Sequence, residues 1–100
     1  MVVHSVYFWL KEDICEAKKQ AFYEGLLELS KIPSVVKLYV GTPAQTAKRP
    51  VIDDSYTFGL VVIFSNIEGH DAYQNHEIHR NFLSEFSSFW NKVLIYDFEC

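Results

Sequence analysis

Residues 72–98 read AYQNHEIHRNFLSEFSSFWNKVLIYDF, and this stretch joins a helical pattern to a closing strand. Apolar side chains recur at helical spacing from about Ile78 to Trp90, whereas Leu94–Phe98 is rich in β-forming residues. Asn75 and His76 are weak helix formers. The stretch therefore predicts a break near His76, a helix from about Ile78 to Trp90 and a final strand over Leu94–Phe98.

Three further segments upstream are rich in β-branched and aromatic residues and predict strands. They cover Val2–Leu10, Val35–Val40 and Tyr56–Phe64. Gly41-Thr42-Pro43 ends the second of them, and residues 43–55 form a polar loop. Four strands are thus expected in all.

Two spacings predict where the helices upstream of residue 76 begin. Asp13 and Glu16 stand three apart, as do Ser65 and Glu68, which is the spacing of a capping box. The first pair predicts a helix through Ser30, and the second a short helix through about Tyr73. The apolar side chains expected on the inner face of the first helix are Ile14, Ala21, Phe22, Leu26 and Leu29.

The resulting order β-α-β-β-α-β is that of a ferredoxin-like α+β fold, in which helices cover one face of a four-stranded antiparallel sheet. One hundred residues suit a single domain spanning 1–100. Because the first and third strands are apolar on both faces, the face without helices needs a cover. We predict a homodimer that buries this face, with Trp9 and Ile63 in the interface. The alternative is that these are scattered surface aromatics.

Composition argues against several partners. Nine basic and thirteen acidic residues give a net charge of −4, and no long basic run is present, so nucleic acid is not an expected partner. The apolar run over Val2–Leu10 is too short for a membrane span or a signal peptide. Cys15 and Cys100 have no disulfide or zinc-like spacing. We expect a cytoplasmic protein with reduced thiols and no membrane partner.

The order of Val3–Phe8, Leu38–Gly41 and Ala72–His79 resembles the Dabb family, the stress-responsive dimeric α/β barrel domains. The resemblance spans nearly the whole chain. It implies a dimeric α/β barrel. Most members of the family have no assigned activity, while a plant branch contains polyketide cyclases.

The resemblance to that branch implies site residues. Its catalytic histidine matches His79, its catalytic tyrosine matches Tyr73, and a further pocket histidine matches His4. Leu26 replaces a cyclase tyrosine, and Phe82 is bulkier than the glycine-containing stretch of the cyclases. The implied ligand-binding positions are His4, Val6, Phe8, Phe22, Tyr23, Leu26, Phe82 and Leu94, with Ile67 as a possible addition.

The chemistry of this pair is coherent. An aldol cyclisation needs a base near neutral pH and a neutral hydrogen-bond donor for the enolate, which suit His79 and Tyr73. The alternative is that His79, which we expect to be partly exposed, is a core histidine satisfied by one hydrogen bond. His76 and His79 form an HxxH pair, for which His70 or Glu77 could supply a third ligand, but we assign no metal and no cofactor.

Three functions remain open. The preferred one is a Dabb-type protein of unassigned molecular function that binds a small, mostly apolar ligand between sheet and helices. The second is a cyclase-like or lyase-type enzyme. The third is a structural stress-response protein that acts through oligomeric assembly.

Overall fold

The computed structural model describes residues 1–100 and contains four strands and three α-helices. In chain order they are β1 (Val2–Leu10), α1 (Glu16–Glu28), β2 (Lys37–Gly41), β3 (Phe58–Phe64), α2 (Ile67–Asn75), α3 (Glu77–Phe86) and β4 (Trp90–Glu99). The sheet order is β2-β3-β1-β4, and every neighbouring pair is antiparallel. The structure confirms the predicted ferredoxin-like fold.

The predicted starts of α1 and α2 are each corrected by the structure. The N-cap of α1 is Cys15, without a side-chain hydrogen bond, so Asp13 lies too far upstream to cap the helix. At α2 the cap is Asn66, whose Oδ1 accepts from the Gly69 N–H at 2.9 Å. Asparagine is among the best N-caps, and Ser65 stands one residue too early to replace it.

The last helix is shorter than predicted and the last strand longer. After α3 a single 3₁₀ turn covers Ser87–Phe89, and Trp90 is already extended and paired with Leu10. Strand β3 begins two residues later than predicted. Tyr56 precedes it and packs on Tyr7 and Trp9, on the opposite face from Phe58.

The core lies between the sheet and the helices. Phe22 of α1 is completely buried at its centre, with its ring 5.2 Å from Phe8 and 5.6 Å from both Phe82 and Phe86. Ala21, predicted on the same helix face as Phe22, is exposed. An α-helix turns about 100° per residue, so this neighbour of Phe22 points away from the sheet.

The other face of the sheet, called the open face from here on, is covered by no helix, and the loop before β3 touches it only at Tyr7 and Trp9. Its apolar and aromatic side chains are Val3, Tyr7, Trp9, Tyr39, Val61, Ile63, Leu94, Tyr96 and Phe98. The molecule is only 17 Å thick in its shortest dimension, the depth of one sheet and one helix layer. None of the helices is both long and apolar enough to span a bilayer.

Candidate functional site

The break predicted near His76 is confirmed, and it is made by His76 alone. Its backbone is extended, with ψ of 147°, so it ends α2 and at the same time begins α3. The His76 Nδ1 accepts a hydrogen bond from the Ile78 N–H at 3.0 Å. A side-chain acceptor at this position satisfies an amide that the helix leaves free. The two helices are therefore joined without a linker.

This sharp turn brings Tyr73 and His79 together. Their ring centroids are 4.8 Å apart, and the ring planes meet at 61°. On one continuous helix, six residues would turn the two side chains about 240° apart. Tyr73 is 1% exposed and His79 is 9% exposed. Both rings form part of the wall of one cavity.

That cavity has a volume of about 250 Å³ and lies between the sheet and the α2–α3 pair. Its wall is mostly apolar. The open side lies between α3 and the edge strand β4, where Leu83, Val93 and Ile95 are 40%, 37% and 52% exposed. The lining residues are His4, Val6, Phe8, Leu29, Leu60, Tyr73, Gln74, His79, Phe82, Leu83, Trp90, Val93 and Ile95.

A histidine–aspartate pair lies at one end of the cavity wall. His4 and Asp97 are cross-strand partners of β1 and β4, and the His4 Nδ1–H donates to the Asp97 carboxylate at 2.5 Å. Burial lowers the pKa of His4, and this outweighs the hydrogen bond to Asp97 and its charge, which act in the opposite direction. The ring of His4 is 5.8 Å from that of Tyr73.

His79 is a buried histidine without a hydrogen-bond partner at Nδ1. The prediction that its side chain is partly exposed is therefore wrong, because the turn at His76 directs it inward. The alternative of a core histidine satisfied by one hydrogen bond at Nδ1 does not hold either. Burial first, and then the nearby His4 and His70, lower the pKa of His79. Its ring is thus neutral at pH 7 and able to accept a proton.

Tyr73 has the complementary property. Burial raises the pKa of its hydroxyl far above the ordinary value of 10. The phenol therefore stays protonated throughout the physiological range and can act as a hydrogen-bond donor. A neutral imidazole and a protonated phenol in one mostly apolar cavity can respectively accept a proton and stabilise a developing oxyanion.

Of the predicted site residues, those from β1, α2 and α3 line the cavity. They are His4, Val6, Phe8, Tyr73, His79 and Phe82. Phe22 and Leu26 are packed in the core behind it, and Tyr23 is half-buried beside Phe58. Ile67 is 44% exposed on α2 and does not line the cavity. Leu94 is on the open face, because it is the strand partner of Tyr7.

The sequence reasoning missed the contribution of β4. Val93 and Ile95 pair with Phe8 and Val6 and so face the cavity, while Asp97 pairs with His4. One signal was present: in this fold the first and last strands are neighbours, and a lone carboxylate in an apolar strand needs a partner. Leu94 was implied by the family resemblance, and in the structure its neighbours Val93 and Ile95 face the cavity instead.

The HxxH pair, to which no metal was assigned from the sequence, does not form a group of ligands with His70 or Glu77. His76 is engaged in capping α3, and neither His76 nor Glu77 belongs to a group of three ligating side chains. Instead, His4, His70 and Asp97 bring one ligating atom each to within 4.8 Å of one another. His70 is on α2, with its ring 5.0 Å from that of His4.

A family model described as the stress responsive A/B barrel domain, Dabb, matches residues 2–100. The chain belongs to the Dabb family. As a relative in sequence, olivetolic acid cyclase from Cannabis sativa is 30% identical over 98 residues, which cover 97% of this chain and 94% of the relative.

Solved structures match this Dabb protein over nearly its full length. Hydroxynitrile lyase from Passiflora edulis has a TM-score of 0.80 at 17% identity, covering 97% of this chain and 90% of the lyase. A dimeric ferredoxin-like protein of unknown function from Thermobifida fusca has a TM-score of 0.80 at 19% identity, covering 99% of this chain and 90% of its own. These likenesses concern the fold.

Proposed function

We propose that this Dabb protein is an enzyme that binds a small, mostly apolar carbonyl compound in the cavity and forms an enolate from it, with His79 as the base. The observation that carries the proposal is the closeness of the His79 and Tyr73 rings, 4.8 Å apart in the wall of one mostly apolar cavity. A base and a hydrogen-bond donor side by side are what enolate formation requires.

The proposed step begins with proton removal. The His79 imidazole takes a proton from the carbon next to a carbonyl, and the electron pair of the broken C–H bond moves to the carbonyl oxygen. The Tyr73 hydroxyl donates a hydrogen bond to this enolate oxygen. The enolate carbon then attacks a second carbonyl of the same molecule, a C–C bond forms, and the new alkoxide takes the proton back from His79.

The cavity limits the substrate to a small and largely apolar molecule. Its volume of about 250 Å³ is below the range of roughly 300 to 1,000 Å³ that is usual for ligand pockets. Phe82 and Trp90 stack in its wall with ring centroids 6.3 Å apart. The Gln74 side chain and the histidines supply the polar groups. A ring-forming ketone that enters past Leu83 and Val93 fits this description.

The name of the relative olivetolic acid cyclase supports a cyclisation over a cleavage. A lyase reaction is the alternative, and the same base serves it. There His79 takes the hydroxyl proton of an alcohol, the oxygen electron pair forms a carbonyl, and the neighbouring C–C bond breaks. The carbon group leaves with the electron pair of that bond as a stabilised carbanion, which takes the proton from His79. The fold shared with a hydroxynitrile lyase makes this second reaction worth testing in parallel.

The proposal can be tested by proton exchange, which requires only that a compound enters the cavity and has an acidic C–H group. The purified protein is incubated in D₂O with a panel of small alkyl and aryl diketones, and α-proton exchange is followed by NMR. We expect accelerated exchange for at least one compound, and a loss of about 100-fold or more in His79→Ala. Acceleration that is equal in wild type and His79→Ala contradicts the proposal.

We also propose that two copies of the chain form a homodimer through their open faces. Tyr39, Tyr96 and Phe98 are 58%, 61% and 56% exposed there, so a contiguous aromatic surface faces water in the isolated chain. The description of the Thermobifida fusca neighbour as dimeric supports this assembly. Solution mass at micromolar concentration tests it, and a stable monomer contradicts it.

A further inference from the structure

We propose a divalent transition-metal site, of the kind that binds Zn²⁺, formed by His4, His70 and Asp97. The three residues come from β1, α2 and β4, and each contributes a ligating atom to a group within 4.8 Å. No motif in the sequence unites them, since they stand 66 and 27 positions apart. The site is independent of the proposed enzymatic function.

The donor set is the first argument. Two imidazoles and one carboxylate are a combination that zinc accepts in catalytic sites, where a fourth position is kept for water or substrate. Zn²⁺ lies about 2.0 to 2.2 Å from such ligands, so two ligating atoms of a tetrahedral site stand about 3.3 to 3.6 Å apart. The present span of 4.8 Å therefore has to contract by about 1.2 to 1.5 Å, which side-chain rotation can supply.

The contact between His4 and Asp97 also has to open. Their 2.5 Å hydrogen bond is shorter than the roughly 3.3 Å that separates two ligands of a tetrahedral ion. The Asp97 side chain is 44% exposed and can rotate once this bond opens, whereas that of His4 is 3% exposed and held in place. A metal ion would take the place of the His4 Nδ1 proton and bind both side chains.

The surroundings of His70 supply the second argument. Asp71 Oδ1 accepts a hydrogen bond from the His70 Nδ1–H at 3.0 Å. That bond fixes the tautomer and leaves Nε2 unprotonated for a ligand. Metal-binding histidines almost always donate their second ring N–H to a carboxylate, carbonyl or water. His70 thus has the supporting contact that a metal ligand requires.

The cluster lies between the cavity and the surface. His4 is part of the cavity wall, whereas Asp97 and His70, whose ring packs at 5.7 Å on that of Phe64, do not line the cavity. The exposed side of Asp97 leaves an approach for the ion from solvent.

Calorimetric titration of the chelator-treated protein with ZnCl₂ tests the inference. The titration is made in a Cys15→Ser, Cys100→Ser background, because both thiols are exposed and could bind zinc themselves. We expect one Zn²⁺ per chain. His70→Ala should weaken binding by about 100-fold, and Asp71→Asn, which removes only the supporting carboxylate, by about 10-fold or more.

His76→Asn is the matched control. It removes an imidazole from the same region and retains a side-chain acceptor that can cap α3. Its affinity for Zn²⁺ should equal that of the parent. If the His70→Ala variant does not fold, the Asp97→Asn variant is titrated instead, since the Asp97 side chain is 44% exposed. Absence of saturable binding in the parent, or equal affinity in the parent and the ligand variants, overturns the proposal.

Discussion

The rings of Tyr73 and His79 stand 4.8 Å apart although five residues lie between them in the chain. The extended backbone at His76 makes this possible, because it redirects the chain between two helices. The resulting pair combines a protonated phenol with a neutral imidazole, as the directions of their pKa shifts require. Substitutions at and around this pair therefore have distinct expected effects on turnover and on stability.

Replacing His79 by alanine should abolish turnover and still give a folded protein. Since Nδ1 has no partner, the change strands no other group, and the expected loss is that of truncating a buried ring, about 2 to 4 kcal/mol. Thermal melts and the exchange assay are measured together. His76→Asn is the control and should retain activity. Turnover in folded His79→Ala equal to that of the parent would contradict the role of His79 as the base.

Tyr73→Phe should separate the contribution of the hydroxyl to turnover from the contribution of the ring to stability. The phenylalanine ring keeps the contacts with Phe64 at 5.0 Å and His79 at 4.8 Å, so the melting temperature should change little. Turnover should fall about 100-fold, the effect of removing one donor to an oxyanion. Steady-state kinetics would show the loss in kcat. Unchanged kcat means that the Tyr73 hydroxyl does not touch the reacting oxygen.

Stability should fall as the pH drops below about 6.5, the ordinary pKa of histidine. Burial lowers the pKa of His4 and His79 in the native state, so the unfolded chain binds protons there that the native chain does not. The free energy of unfolding then decreases between pH 6.5 and the lowered native pKa values, and is constant above this window. Urea unfolding at pH 7.5 and 5.5 measures the decrease. The decrease in the free energy of unfolding should be smaller in His79→Gln. An equal decrease in wild type and variant would show that His79 does not contribute to it.

Tyr96→Glu should convert the proposed dimer into a monomer. Tyr96 is 61% exposed in the single chain, so the chain should still fold, but the interface would contain a buried unpaired charge. It is a sharper probe than Trp9, whose indole N–H donates to Ser55 and whose ring contacts Lys92. Sedimentation velocity reads out the mass. Leu27→Glu, on the exposed side of α1, is the control and should remain dimeric.

Gly25→Ala should destabilise the packing of α1 on α3. A Cβ at this position would lie 2.4 Å from Cε2 of Phe86, whose ring is buried among Phe22 and Phe89. Overpacking costs about 1 to 3 kcal/mol, and alanine returns about 1 kcal/mol of helix propensity. A net loss of up to about 2 kcal/mol is expected in urea unfolding. Gly41→Ala meets no atom within 4 Å and is the control.

The sequence was sufficient to predict the fold because its strands are long and strongly apolar. The β-branched and aromatic residues of Val2–Leu10 correctly predicted β1, and the weak helix formers at Asn75 and His76 correctly predicted the break. Helix ends were less well predicted. Asn66 and Ser65 are both good caps, and only the backbone angles decide which of them begins α2.

The site could be predicted only in part. His79, Tyr73 and His4 followed from the family resemblance, and all three line the cavity. Asp97 could not be identified as the partner of His4 without the pairing register of β4 with β1. A shift of one residue in that register would put the Asp97 side chain on the other face of the sheet. The approach of His70 to His4 depends on how α2 packs on the sheet, and no spacing in the sequence encodes that.

The turn at His76 fixes the positions of Tyr73 and His79, whereas other residues of the cavity wall can vary. The proposed base and donor are held by the backbone turn at His76. The space in front of them is shaped by Leu83, one turn after His79 on α3, and by Leu29 and Val93 from two other segments. Each of these three can be enlarged or trimmed without moving the reacting groups. Substitutions in the cavity wall alone could therefore give the protein a new substrate, in evolution or by design.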